Sequence, residues 1–177
     1  MSAEVLHFSE DPTITRFVPH VAATARQSEP YVWAVTAAQA PAYWFPRDCP
    51  RILAWSRADS TAADRERILG PGGAERMHAI EYGWLRRLQS VRLYVYRLPA
   101  EAFRQFEGYA MVAEEPVDPL GPAEAVGDLL ARHEAAGIEL RLVPNLWRLV
   151  DAVQASSLDF SAIRMRNATD RACVDGR

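Results

Sequence analysis

The sequence contains no lysine: all twenty basic residues of the 177-residue chain are arginine. Mechanisms that need a lysine amine, such as Schiff-base chemistry or a Walker-type phosphate loop, are therefore excluded. Arginine replaces lysine freely on solvated surfaces but not at bidentate anion sites. Most of the arginines are thus explained by a compositional bias, and only those held in a rigid setting indicate a binding site.

The chain also has few cysteines, a small net charge and no long apolar segment. The only cysteines, Cys49 and Cys173, lack CxxC or disulfide spacing, so we expect a reducing, cytoplasmic environment. A net charge of −3 gives no general attraction to nucleic acid or to an anionic membrane. No segment has the length of a bilayer-spanning helix, and the first ten or so residues lack the pattern of a secretory signal. We therefore expect no membrane partner.

Short apolar runs typical of strands recur along the chain, with modest helices between them. Strands are predicted at 5–8, 32–35, 52–55, 91–98, 109–112, 138–143 and 163–165. Helices are predicted from Ser60 or Thr61 to Leu69, from Pro122 to Gly137, and after Asn145.

Because long helices do not alternate regularly with the strands, the pattern predicts an α+β fold. We expect a mixed or mainly antiparallel sheet of short strands with peripheral helices. The absence of repeats and linkers favours a single domain over 1–167, followed by a polar, frayed tail over 168–177.

The segment around His7 offers a candidate ligand-binding pair. If residues 5–8 form a strand, His7 and Ser9 lie on the same face, so an imidazole and a hydroxyl project together at its end. The alternative is structural, with His7 bonded to a neighbouring loop and Ser9 or Asp11 capping a turn before Pro12.

Aromatic residues cluster between Tyr31 and Phe45. A strand leading into a short helix would place Trp33 opposite Tyr43 or Trp44, where two rings can clamp a flat heterocycle. The competing interpretation is that both side chains belong to the core.

Arg47 and Arg51 flank Asp48 and Cys49 in a segment stiffened by prolines. Such a loop can hold guanidinium groups toward a phosphate. An internal ion pair with Asp48 is the alternative.

The candidate catalytic carboxylates are Glu81, which follows a possible strand at 77–80, and Glu115, which follows the predicted strand at 109–112. A desolvated glutamate at a sheet edge can act as a general base or stabilise a developing cation. The alternatives are that Glu115, next to a proline, is solvent-exposed and that Glu81 caps the element that follows it. His78 and Glu81 have the spacing of a helical metal pair, but further ligands at suitable spacing are missing, so no metal is expected.

Five motifs together resemble an uncharacterised bacterial family, a domain of unknown function, over nearly the whole chain. They are HFSEDP at 7–12, YWFPRDCPR at 43–51, MHAIEYGWL at 77–85, EEPVDPLG at 114–121 and LVPNLW at 142–147. This resemblance implies no activity.

A more distant resemblance is to the ADP-ribosyltransferase fold, including its tRNA 2′-phosphotransferase relatives. A histidine on the first strand, the YVWAV strand with an aromatic residue about ten positions later, and a late glycine-led strand are similar to that fold. The resemblance implies NAD as substrate, with His7 at the ribose, Trp33 as a wall and Tyr43 as the stacking ring. The strand that should begin with the catalytic glutamate begins with Gly108 instead, leaving Glu107, Glu114 and Glu115 nearby.

The leading functional hypothesis is therefore a domain that binds NAD or a related small nucleotide, with Arg47 or Arg51 toward phosphate. Its enzymatic status stays open; if it is an enzyme, we expect ADP-ribosyl or phosphate transfer. The alternative is a non-catalytic module that binds a metabolite or a protein through an aromatic groove. Among nucleic acids only an RNA end fits, because the arginines form no basic stripe. The pattern does not indicate an oligomeric state.

Overall fold

The computed structural model describes residues 4–21, 28–106 and 108–171. The strands are β1 Glu4–Ser9, β2 Val32–Val35, β3 Arg51–Trp55, β4 Arg76–Glu81, β5 Tyr94–Pro99, β6 Arg104–Gln105, β7 Ala110–Ala113, β8 Glu124–Ala125, β9 Glu139–Val143 and β10 Asp159–Ile163. The α-helices are α1 Ala62–Ile68, α2 Leu85–Ser90, α3 Leu129–Ala135 and α4 Trp147–Gln154. Short 3₁₀ helices cover Ala37–Tyr43, Tyr82–Trp84, Ala100–Ala102 and Met165–Asn167. The predicted α+β class is confirmed.

Packing divides the chain into two compact units. Unit 1 combines residues 1–45 with 92–127, and unit 2 combines 46–91 with 128–177. Each unit contains its own sheet of short strands. The assignment of residues 1–167 to one domain stays a prediction.

The sheet of unit 1 is antiparallel, with strand order β6-β7-β2-β1-β5-β8. β1 pairs with β5 over its whole length and with β2 at Leu6 and Val35. One face of this sheet covers a core that includes Val5, Phe17 and Tyr96. Tyr96 is fully buried, and its hydroxyl is satisfied there: it donates to the Asp11 carbonyl and accepts from the Ile14 amide.

The sheet of unit 2 is mixed, with strand order β10-β3-β4-β9 and only the β4–β9 pair parallel. α1 and α4 pack on one face, where Ile68 and Val150 join Ile52 and Met77 in a core. On the other face, α3 packs against β4 through a contact between His133 and His78. Unit 2 therefore has helices on both sides of its sheet. Among the described residues, no helix has the length and hydrophobicity that crossing a membrane requires.

Two predicted elements are displaced in the structure. The helix predicted from Pro122 begins at Leu129, because Glu124 and Ala125 pair with β5 instead and Asp128 caps the helix. The last strand covers 159–163 rather than 163–165, and it pairs with β3. By contrast, Thr61 caps α1 as predicted, accepting a bond from the Asp64 amide.

The Asp128 cap gives a first stability prediction. Its carboxylate accepts bonds from the amides of Leu130 and Ala131, at 2.8 and 3.1 Å. Asp128→Ala is expected to lower the free energy of unfolding by about 1 kcal/mol, measured by urea titration. Glu134→Ala, at an exposed position in the same helix, is the matched control. Equal effects of the two substitutions would show that the cap contributes nothing.

Candidate functional site

His7 lies on the core face of the unit 1 sheet. Its Nδ1 donates to the Trp33 carbonyl at 2.7 Å, and its ring packs against Phe17 with centroids 4.7 Å apart. A bond to a carbonyl places the proton of a neutral imidazole on Nδ1. Ser9, two residues further along β1, is buried and accepts a bond from the Asp11 amide at 3.1 Å. His7 and Ser9 thus share a face, and both make structural bonds.

The Trp33 side chain points to the opposite face of that sheet. Its strand neighbours Val32 and Ala34 belong to the same core as Phe17, so alternation sends the indole the other way. There the indole makes edge contacts with Tyr31 and Phe106, with centroids 6.0 and 5.6 Å apart. His7 therefore meets the backbone of Trp33, while the two rings lie on different faces. A ribose contact by His7 stays a prediction.

Tyr43 lies on the same face as Trp33. It ends the 3₁₀ helix Ala37–Tyr43, and its ring is nearly parallel to that of Phe8, at 9° and 6.2 Å between centroids. Phe8 follows His7 on β1 and so faces away from the core. We call the side chains of Phe8, Tyr31, Trp33, Tyr43 and Phe106 the aromatic face. Phe8 is not among the predicted site residues, although the strand alternation that places its ring on this face is readable from the sequence.

Two buried polar atoms on the elements of the aromatic face lack a hydrogen-bond partner among the described residues. They are Trp33 Nε1, a donor, and Gln39 Oε1, an acceptor. Gln39 belongs to the same 3₁₀ helix as Tyr43. Buried polar groups are nearly always paired, because leaving one unpaired costs about 1–3 kcal/mol. These two unsatisfied atoms are the features of unit 1 that most clearly indicate a ligand.

Arg104 borders the aromatic face. Its guanidinium lies 5.5 Å from the Tyr31 ring centroid and donates to the Tyr31 hydroxyl and to Glu114, at 3.3 and 2.7 Å. Glu114 is therefore held in an ion pair, while its neighbour Glu115 is exposed. Glu107 lies outside the described residues. A catalytic role for Glu115 stays a prediction.

Arg47, Arg51 and Glu81 belong to unit 2. Arg51 is buried and donates to the Cys49 carbonyl at 3.0 Å, whereas Arg47 is exposed and its carbonyl accepts from Arg164. Burial raises the pKa of the Cys49 thiol to about 12, with Arg51 lowering it and Glu81 raising it. The thiol is therefore protonated at neutral pH and does not fit a nucleophile. Phosphate binding by the two arginines stays a prediction.

Glu81 is a bonded carboxylate at the end of β4. It is 5% exposed and accepts bonds from the Leu146 amide at 3.3 Å and from the amide and hydroxyl of Thr169, each at 3.0 Å. These bonds join β4 to the start of α4 and to residues of the predicted tail. Arg171 also pairs with Asp151, so the described part of that tail, 168–171, is anchored. Residues 172–177 of the tail, including Cys173, lie outside the described residues. A catalytic role for Glu81 stays a prediction.

The motifs from HFSEDP to LVPNLW extend across both units. A family model, described as a family of unknown function (DUF6886), matches residues 6–168. The chain belongs to the DUF6886 family. The first resemblance, to a domain of unknown function, is thereby confirmed, and the resemblance to the ADP-ribosyltransferase fold stays a prediction. No curated protein and no solved structure matches the chain.

The part of the DUF6886 chain that the structure describes contains no group of three or more His, Cys, Asp or Glu side chains placed to hold a metal ion. The features that indicate binding are the aromatic rings of unit 1, an unsatisfied indole N–H and an unsatisfied amide oxygen. Of the candidate residues, Trp33 and Tyr43 come to the same sheet face, where the structure adds Phe8.

Proposed function

We propose that this DUF6886 chain binds a flat heterocycle bearing a primary carboxamide, of the NAD type, at the aromatic face of unit 1. The observation that carries the proposal is the pair of buried, unsatisfied atoms, Trp33 Nε1 and Gln39 Oε1. A primary carboxamide has one carbonyl oxygen and one NH₂ group. In the proposed complex the ligand oxygen accepts from the Trp33 indole N–H, and the ligand NH₂ group donates to Gln39 Oε1.

The rings of the aromatic face supply the stacking surface. Tyr43 and Phe8 are nearly parallel, and a flat heterocycle bound against Tyr43 gains the offset stacking that aromatic pairs favour. Stacking of a base on an aromatic side chain contributes about 1–3 kcal/mol. Because the two polar atoms are shielded from solvent, the ligand ring has to displace neighbouring side chains as it enters. His7 supports the site by holding the Trp33 carbonyl.

Calorimetry with the full chain tests the proposal. We expect NAD and nicotinamide mononucleotide to bind, and nicotinic acid mononucleotide to bind at least about tenfold more weakly, because its carboxylate offers no donor to Gln39. Tyr43→Ala and Gln39→Leu are each expected to weaken NAD binding by about tenfold. Tyr82→Ala removes a 60% exposed ring from unit 2 and is the matched control.

Equal affinity for the amide and the acid would contradict the proposal, as would NAD binding that survives Tyr43→Ala. Nicotinamide release is measured in the same samples. Release that depends on Glu115 would assign transfer chemistry, whereas intact NAD would define a binding module.

A further inference from the structure

A buried chain of nitrogen atoms crosses unit 2 from β4 to α3. Arg76 Nε donates to His78 Nε2 at 2.9 Å, and His78 Nδ1 lies 3.0 Å from His133 Nε2. His133 Nδ1 in turn lies 2.7 Å from the Leu129 carbonyl. The two imidazoles are 0% and 1% exposed, so water cannot supply a hydrogen-bond partner to a ring nitrogen that loses its own.

The end groups set the direction of every bond in this chain. Arg76 can only donate, so His78 accepts at Nε2 and carries its proton on Nδ1. That proton is donated to His133 Nε2, and the Nδ1 proton of His133 goes to Leu129. All bonds are satisfied when both imidazoles are neutral. An additional proton on either ring would convert its acceptor nitrogen into a donor, so two N–H groups would point at each other with no acceptor between them.

The surroundings of the pair contain cations and apolar side chains. The charged groups that act on His78 are His133, Arg76 and Arg51, from α3, β4 and β3. The neighbouring strands place Leu53 and Leu140 opposite it. The other charged residues of α2 and α3 are exposed; they are Arg86, Arg87, Arg132 and Glu134.

Both pKa values follow from these surroundings. Burial, followed by His133, Arg76 and Arg51, lowers the pKa of His78 to about 2. Burial also lowers the pKa of His133, partly offset by its bond to Leu129, and Arg76 lowers it further.

We propose that the His78–His133 pair is an acid-sensitive latch that releases α3 from the sheet of unit 2. α3 is seven residues long, too short to persist without packing. Opening exposes both imidazoles, which then bind protons that the closed state excludes. Because the closed state binds fewer protons, closure is most favourable above about pH 6.5 and weakens as pH falls toward 2.

Hydrogen exchange of the full chain between pH 7.5 and 4.5 tests the latch. After correction for the intrinsic exchange rate, the protection of α3 amides is expected to fall about 100-fold at pH 4.5 through His78, and further through His133. Amides of α1 in the same samples are the internal reference, and their protection is expected to change by less than about threefold.

Two glutamine variants separate the latch from general acid sensitivity. His133→Gln removes a titrating ring and is expected to reduce the pH-dependent loss of α3 protection by at least about tenfold. His20→Gln, at an exposed position in unit 1, is expected to leave that loss unchanged. Parallel pH profiles for α3 and α1 in the unmodified protein would overturn the proposal, whether or not His133→Gln folds. A full pH-dependent loss in His133→Gln would also overturn it.

Discussion

Glu81→Ala is expected to lower the free energy of unfolding of unit 2 by about 3 kcal/mol. The substitution removes the acceptor for the Leu146 amide and for the amide and hydroxyl of Thr169. The Leu146 amide lies at the buried start of α4, where an unpaired donor is costly, and the bonds to Thr169 hold the following tail against β4. Urea unfolding, with hydrogen exchange of α4 amides to localise the effect, is the measurement.

Glu81→Gln is expected to cost about half as much, because it retains one oxygen acceptor but loses the charge. Glu66→Ala, at an exposed position on α1, is the control and is expected to change stability by no more than about 0.5 kcal/mol. Unchanged stability in Glu81→Ala would show that the carboxylate is not structural. A catalytic role would then be the better explanation of its burial.

Tyr96→Ala is expected to have the larger effect, a loss of about 4 kcal/mol in unit 1. The side chain is fully buried between β1 and the segment containing Phe17, whose ring it meets edge-on at 5.1 Å. Its removal creates a cavity and also leaves the Asp11 carbonyl and the Ile14 amide without their partner. Thermal and urea unfolding measure the loss.

Tyr96→Phe separates the hydroxyl from the ring. We expect it to cost about 1–2 kcal/mol, because the cavity term disappears and the unpaired Asp11 carbonyl and Ile14 amide remain. Tyr94→Phe, at a half-buried position on the same strand, is the control, with an expected change below about 0.5 kcal/mol. Equal stability of Tyr96→Phe and the unmodified protein would contradict the bonding role of the Tyr96 hydroxyl.

The strands were predictable because short apolar runs bounded by polar residues or proline carry their own signal. The residues 32–35, 52–55 and 138–143 form strands within one residue of the predicted limits. The predicted start of the second helix at Pro122 was wrong for a tertiary reason. Pairing of Glu124 and Ala125 with β5 outweighs the helical pattern there, so the helix starts at the Asp128 cap.

The candidate site was predictable only in part. Trp33 and Tyr43 stood out because large rings near a strand end are visible in a sequence. Gln39 gave no such signal, since an unsatisfied side-chain atom becomes apparent only when its surroundings are known. His78 and His133 are 55 positions apart, and their contact depends on the packing of α3 against β4.

By itself the sequence determined the α+β class, the exclusion of lysine chemistry, and the short strands, because composition and local periodicity encode these properties directly. Tertiary structure decided which face of each strand is buried. It thereby separated the ring of Trp33 from that of His7 and brought two histidines together in unit 2. The physical reason is that burial and hydrogen bonding depend on partners distant along the chain, and these partners are chosen by packing rather than by local pattern.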